Sequence, residues 1–452
     1  MTWSIEFAFF HYAIWPLVLG TLCRAWFGPF GRLPFAWVFL VTWLLLIHAQ
    51  ALVVFEERFP HTSFLFSVWS TPLIILVVAG SITRGLGHRP PPLKEIVLGR
   101  PRSERDRVVH RIAPLLTVGL WSLIIVYIWD IGTRNIAFFF LLANPGSAVD
   151  AMSLRLAGMT SNISPVLGMI YGYARAFFLP LYTAVATAHV VSGRMSVMHW
   201  VTILLGAGVF SLLTAAKAPL AFTLAAVGLA AYLVRPSQIG LRKLGLAFCL
   251  TLFLPALIYP LISGDTGKAA LEVAGKNLWR RVTYVTAETG AVYFDAFPSL
   301  HDFQGPRSNR LLAKLANVPV EATPVWVYDR YLDTGVLHGG TVNTAFYASF
   351  FADWGGVGVV GGAIVVGLVI FALQVFFDRR SSRDATSIGV RAATLVALTQ
   401  LMASDFYGVA LGRGLLSIPL LLWGFDIVIA TLNRNRGAYY PNRRRAISDE
   451  AV

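Results

Sequence analysis

Charge is what this chain has least of. Only 13% of its 452 residues are Asp, Glu, Lys or Arg, and the acidic share is the smaller one, 23 against 37. A soluble domain carries about a quarter charged residues. With 56% hydrophobic residues and a mean hydropathy of +0.65, the composition excludes a soluble globular class and specifies a polytopic membrane protein. Cysteine is scarce too. Cys23 and Cys249 both fall in apolar runs, where they read as small packing residues, so neither a disulfide framework nor a thiolate metal site is expected. A cleavable leader pattern is missing: residues 1–6 lack a basic region and no clean small-residue cleavage site follows, so the first apolar run is expected to be a retained span. Internal repeats of the kind common in secondary transporters are not evident. The run GGVGVVGG follows no strand and lacks Walker spacing, so it reads as close helix packing.

What is there is a series of apolar runs of about 20 residues, each long enough to cross a bilayer as a helix. We read about eleven: 5–23, 33–54, 64–82, 112–131, 166–190, 200–216, 218–234, 244–263, 356–377, 388–402 and 415–432. The fold class is therefore all-α, a polytopic helix bundle with one large external loop. Residues 1–263 carry the first eight spans, 264–343 the loop, 344–432 the last three spans, and 433–452 a basic tail. Lys and Arg concentrate in 83–111, 235–243, 378–387 and the tail, with Arg443, Arg444 and Arg445 adjacent. Eleven spans put all of these on one side, which the positive-inside rule makes cytoplasmic. The C-terminus is then inside and the N-terminus outside. Because the net charge of +14 gathers at membrane boundaries rather than on a soluble module, nucleic acid is not an expected partner.

The external segments hold the residues of interest. Segment 132–165 opens with GTRNIAFFFLLANPG, in which 136–143 is too short to span and is expected to lie in the interface or re-enter; Arg155 follows. Arg175, in YGYARAFFLPLY, sits in the outer third of a span, where a cation faces a cavity or pairs with a carboxylate such as Asp150 or Asp405. Lys217, in the tight turn LLTAAKAPLAF, is flanked by Ala215, Ala216 and Ala218, which let other backbones approach. Within 264–343, GKNLWRRVTYVTAETGAVYFDAF has helical apolar spacing and is expected to lie on the membrane as an amphipathic helix. Its Arg280 and Arg281 would meet lipid headgroups or substrate phosphate. HDFQGPRSNRLLAKL gives a turn and a short helix, with Arg307 and Arg310 three apart and expected on one helical face. A third helix through Tyr328, Arg330 and Asp333 leads to His338 in a glycine break. Asp353 then precedes the glycine-rich span, and Asp405, Tyr407 and Arg413 form a last external cluster. Trp326, Tyr328 and Tyr331 would stack on sugars or form an interfacial aromatic belt.

This pattern resembles the bacterial oligosaccharide repeat-unit polymerases, the Wzy-type O-antigen and enterobacterial common antigen polymerases. The likeness rests on the external cations Arg155 and Arg175, on the basic small-residue turn AAKAP around Lys217, and on a large late loop. That loop ends in LHGGTVN around His338 and leads into GGVGVVGG. In relatives the turn residue is often arginine; lysine keeps the charge but not the bidentate fork. The resemblance implies transfer of a growing glycan from undecaprenyl pyrophosphate to a new lipid-linked repeat unit at the periplasmic face of the bacterial inner membrane. The implied partners are those lipid-linked oligosaccharides, membrane lipids and a separate chain-length co-polymerase. His338, Arg175 and Lys217 would be catalytic. Arg155, Arg280, Arg281, Arg307, Arg310, Tyr328, Arg330, Asp333, Asp353 and Arg413 would bind substrate.

The residue types suit that chemistry. Cations bind a diphosphate and offset charge developing on its bridging oxygen. The leaving lipid already activates the sugar, so no cofactor and no metal are expected. An acceptor hydroxyl gains from a general base, with His338 first and Asp333 and Asp353 behind it. Alternatives are an O-antigen ligase with the same donor, a metal-dependent lipid-phosphosugar transferase using Glu56 and Glu57, and a lipid-linked oligosaccharide flippase or transporter. The topology has a direct check. A fluorescent protein fused after residue 452 is expected to fluoresce, and alkaline phosphatase inserted within 264–343 to be active; the reverse pattern would invert the orientation.

Overall fold

The computed structural model describes residues 5–30, 33–57, 61–88, 103–144, 147, 154, 161–213, 217–253, 267–280, 284–331, 342–379 and 384–439. Among the described residues all regular structure is helical. Seven helices are long and apolar enough to cross a membrane: α1 (Ile5–Phe27), α2 (Phe35–Glu56), α3 (Thr62–Gly85), α4 (Glu104–Ile131), α6 (Pro165–Val191), α14 (Phe346–Arg379) and α15 (Ala385–Met402). Three shorter apolar stretches, Val197–Leu213 (α7), Ala218–Val234 (within α8, Lys217–Val234) and Ser417–Thr431 (within α16, Ser417–Tyr439), occupy three more of the expected positions. The eighth expected span is entered by α9 (Pro236–Phe253), and its remainder lies outside the described residues. The short apolar run after α4 forms a single small helix, α5 (Ala137–Ala143), as its length requires.

Small residues set the packing. In α14, Gly367 lies against Val78 and the Ile75 carbonyl of α3, and in α15, Gly389 lies against the backbone of Val185 in α6. Glycine at such points lets two helix backbones meet without an intervening side chain. Of the most apolar window of α15, 89% is buried, which makes this helix the centre of the bundle rather than a lipid-facing one.

The late insert contributes α10 (Gly267–Arg280), α11 (Thr286–Ala296), α12 (Arg310–Ala316) and α13 (Thr323–Tyr331). The expectation that 275–297 lies on the membrane as an amphipathic helix is corrected over its second half. Trp279 and Arg280 of α10 are exposed, but α11 is buried against α14 and α2. The reason is local: Ala287, Gly290 and Ala291 leave room, so Gly290 sits under the Tyr347 hydroxyl and Phe294 stacks on Phe351 with ring centroids 3.8 Å apart. Gln50 in α2 accepts a hydrogen bond from the Ala287 amide at 3.1 Å.

Two groups of polar contacts join elements that are distant in the chain. At one end, Arg105 donates to Asp384 at 2.9 Å and also meets Asp426, while His88 contacts Asp378 at 3.0 Å. Asp106, fully buried, accepts from the Thr386 amide at 3.1 Å and its hydroxyl at 2.9 Å, and pairs with Arg194. At the other end, His61 and Tyr331 both reach Asp295, each at 2.7 Å. Replacing Asp106 with alanine would remove the buried carboxylate that Arg194 and Thr386 share, a loss of about 3–5 kcal/mol. Thermal unfolding in detergent is expected to show a large drop in midpoint for Asp106→Ala and a smaller one for Asp106→Ala combined with Arg194→Met.

Candidate functional site

The helix α14 turns at Gly355, whose φ of 63° and ψ of −150° lie outside the helical range. A residue with a β-carbon would be strained there. The bend separates an aromatic-rich first arm, residues 346–354, which carries Ser349 and Asp353, from the apolar remainder. The first arm, the insert and the link after α15 enclose a cavity of about 110 Å³. Tyr293 of α11, Ser308 of the 3-10 turn Gly305–Ser308, Thr323 at the start of α13, Thr344, Asp353, Asp405 and Tyr407 are among its walls.

Asp353 is its most enclosed acid, 3% exposed. The Ser308 hydroxyl hydrogen-bonds its carboxylate. Its Oδ1 finds no hydrogen-bond partner among the described residues, and neither do the Thr323 and Thr344 hydroxyls. Buried polar atoms normally have partners, so three such atoms around one cavity describe a surface made to meet a polar guest. Tyr293 donates to the Val342 carbonyl at 2.8 Å, which ties α11 to the chain entering α14. Burial pushes the Tyr293 and Tyr407 phenols up, and the negative charges of Asp353 and Asp405 add to this, so both hydroxyls stay protonated and remain donors.

A cation stands next to the acids. Asp405 accepts from the Gly408 amide at 2.7 Å. Arg413 donates to Gln400 Oε1 at 3.2 Å; burial lowers its pKa and the Asp405 carboxylate opposes that shift. Arginine remains charged through such shifts. Gly414, with φ of 99°, packs against Phe177, so this loop touches the widened π-helical turn Ala174–Phe178 that carries Arg175. Arg175 is buried and its Nε donates to the Tyr171 carbonyl at 3.3 Å. Tyr171 in turn donates to Asp130 at 3.0 Å, a carboxylate near Arg175 that the sequence did not single out. π-Helical turns cluster at functional positions. In this chain they also carry His11 and His48, whose rings stack at 3.9 Å.

The other expected site residues divide three ways. His338, Asp333, Arg155 and Arg281 lie outside the described residues, as does Asp150. Lys217 is the first residue of α8 (Lys217–Val234), and its side chain is likewise outside them. Arg280, Arg307, Arg310 and Arg330 are exposed, with Arg280 3.8 Å from Glu288. Arg307 and Arg310 do not share a helical face: Asn309 is extended between them and caps α12 by accepting from the amides of Leu311 and Leu312, so Arg307 belongs to the preceding 3-10 turn. Tyr328 is half-buried against the main core. Trp326 packs beside His301 and Phe297, and Tyr331 is hydrogen-bonded to Asp295, so both serve the insert's own structure. Of the expected set, Asp353 lines the cavity and Arg413 stands beside its Asp405 wall. Tyr293, Ser308, Thr323 and Thr344 were missed. Each is an ordinary residue in sequence, and no spacing signal marks it. Among the described residues there is no group of three or more His, Cys, Asp or Glu placed to hold a metal.

The insert is held over this cavity by Asp295, which serves both His61 and Tyr331. Removing two hydrogen bonds of this kind costs about 1–3 kcal/mol. Asp295→Ala is expected to speed tryptic cleavage at Arg307 and Lys314 roughly tenfold, as local opening becomes easier, while the global unfolding midpoint changes little. Compared with known protein families, curated proteins and solved structures, the chain matches none.

Proposed function

We propose that this integral membrane protein is a glycan polymerase. It transfers a growing oligosaccharide from undecaprenyl pyrophosphate to a new lipid-linked repeat unit at the periplasmic face of the bacterial inner membrane. The observation that carries this reading is the cavity at the head of α14. Its buried carboxylate and hydroxyls suit sugar hydroxyls, and the charge of Arg413 acts on Asp405 in its wall. The resemblance of the sequence to the repeat-unit polymerases is independent support.

In this reading an acceptor hydroxyl approaches Asp353, which takes its proton as the oxygen attacks the anomeric carbon. The bond from that carbon to the pyrophosphate oxygen breaks, and the pyrophosphate leaves with the electron pair. Arg413 offsets the charge that develops there, with Arg175 on the neighbouring turn behind it. Tyr407 donates a hydrogen bond that positions the sugar, and the Tyr293 oxygen, whose proton is held by Val342, accepts one. The acidic wall selects hydroxyl-rich groups over free anions, so the diphosphate is held on the Arg413 side and the acceptor on the Asp353 side.

The test is made in the native host and then with purified protein. Loss of the chain is expected to leave single-repeat glycans, and Asp353→Asn, inserted at wild-type level, to restore no more than about 1% of polymer, the scale of a lost general base. Purified protein in vesicles should form new glycosidic bonds between lipid-linked units. Transfer of intact units across the bilayer without any new bond would replace this reading with a flippase.

A further inference from the structure

The insert carries an apolar surface that the site does not use. Leu300, Phe303, Leu311, Leu315 and Val320 are all exposed, Leu315 at 76%. They lie in a part of the chain where water would otherwise be the neighbour, and large exposed apolar patches mark interaction surfaces.

The arrangement on α12 says what kind of surface this is. Successive residues of an α-helix are about 100° apart. Ala313 is fully buried and fixes the inward side. Arg310 and Lys314 then share one outward edge, and Leu311 and Leu315 the edge beside it. Cations next to apolar residues on one outward arc are the pattern of a helix lying at a lipid interface, with leucines among the acyl chains and cations at the phosphates.

The patch is also continuous with a membrane face. Gln304 donates its amide to the Ala352 carbonyl at 2.9 Å, and Phe303 packs so tightly on Gly355 that a β-carbon there would lie 2.9 Å from its ring. Gly355 is where the apolar part of α14 begins, and just beyond it Val357 is 83% exposed. Val357, Trp354 and Phe303 are all exposed around this junction, and the turn Gly305–Ser308, set against Trp354, leads directly into α12.

We propose that residues 300–320 form a membrane-contact surface of the insert: Leu311 and Leu315 enter the leaflet at the head of α14, and Arg307, Arg310 and Lys314 bind the headgroups of anionic phospholipid. Charge complementarity and continuity with the exposed face of α14 select the bilayer over a second copy of the chain or a soluble partner. Ser308 lies within the same segment and lines the polar cavity, so the leaflet and the cavity open onto one turn. This inference stands whatever reaction the cavity carries out.

The experiment uses the full chain in nanodiscs, with Cys23→Ala and Cys249→Ala, and a polarity-sensitive fluorophore attached at Leu311→Cys, Leu315→Cys or the control Asp302→Cys. All three positions are exposed, and variants are kept only if they elute as the parent protein does. At Leu311 and Leu315 we expect blue-shifted emission, quenching by nitroxide-bearing lipid several-fold stronger than at Asp302, and protection from iodide. Phosphatidylglycerol in place of phosphatidylcholine is expected to strengthen the lipid quenching, and the triple variant Arg307→Gln, Arg310→Gln, Lys314→Gln to abolish that gain. Iodide quenching equal to the control would overturn the proposal. So would protection from both quenchers, since another protein surface would then cover the patch. Equal lipid quenching in both lipids would overturn the role of the cations.

Discussion

Helix α11 can sit between the spans only because Ala287, Gly290 and Ala291 present so little to Tyr347 and the helices around it. That close approach brings Phe294 onto Phe351 and carries Tyr293 down to the first arm of α14. The hydroxyl of Tyr293 then ties the insert to Val342, one residue ahead of the cavity-lining pair Asn343 and Thr344. A bulkier residue at Gly290 would lift α11, and the cavity would lose a wall. The site thus depends on an apolar contact that contains none of its chemistry. This is the usual consequence of close packing, in which shape at one point fixes position at another.

The bend at Gly355 works with that contact. A straight α14 would carry Asp353 along the line of the apolar span, where a carboxylate is costly. The positive φ turns the first arm aside, so Asp353 is buried among polar neighbours from the insert and the link after α15. The loop at Arg413 and Gly414 then leans on the turn of Arg175. Cations and carboxylates that are far apart in the chain meet along one path, from Asp353 through Tyr407 and Asp405 to Arg413. At the opposite end Asp106 does the complementary work: one carboxylate meets Arg194, in the turn after α6, and Thr386, and so joins α4 and α15 to that turn.

Much of this architecture was legible because bilayer thickness imposes a length on apolar runs. The runs at 64–82 and 388–402 needed no neighbours to be recognised as helices. Asp353 stood out in the sequence as a carboxylate ahead of a glycine-rich span, and the fold sets it in the cavity wall. The burial of α11 was not. Its sequence is amphipathic enough to lie on a surface, and only the facing residues of α14 decide that it is buried instead. The shared face of Arg307 and Arg310 failed for a local reason, because Asn309 supplies a cap where a continuing helix would need an ordinary residue.

By itself the sequence determined the class of molecule and the helices long and apolar enough to cross a membrane. Those follow from hydropathy, length and charge, which act residue by residue. Only the tertiary structure decided which polar residues meet. Thr323, Thr344 and Asp353 share a cavity because α13, the entry to α14 and its bent first arm converge. Convergence depends on packing between distant segments, and no single segment encodes it.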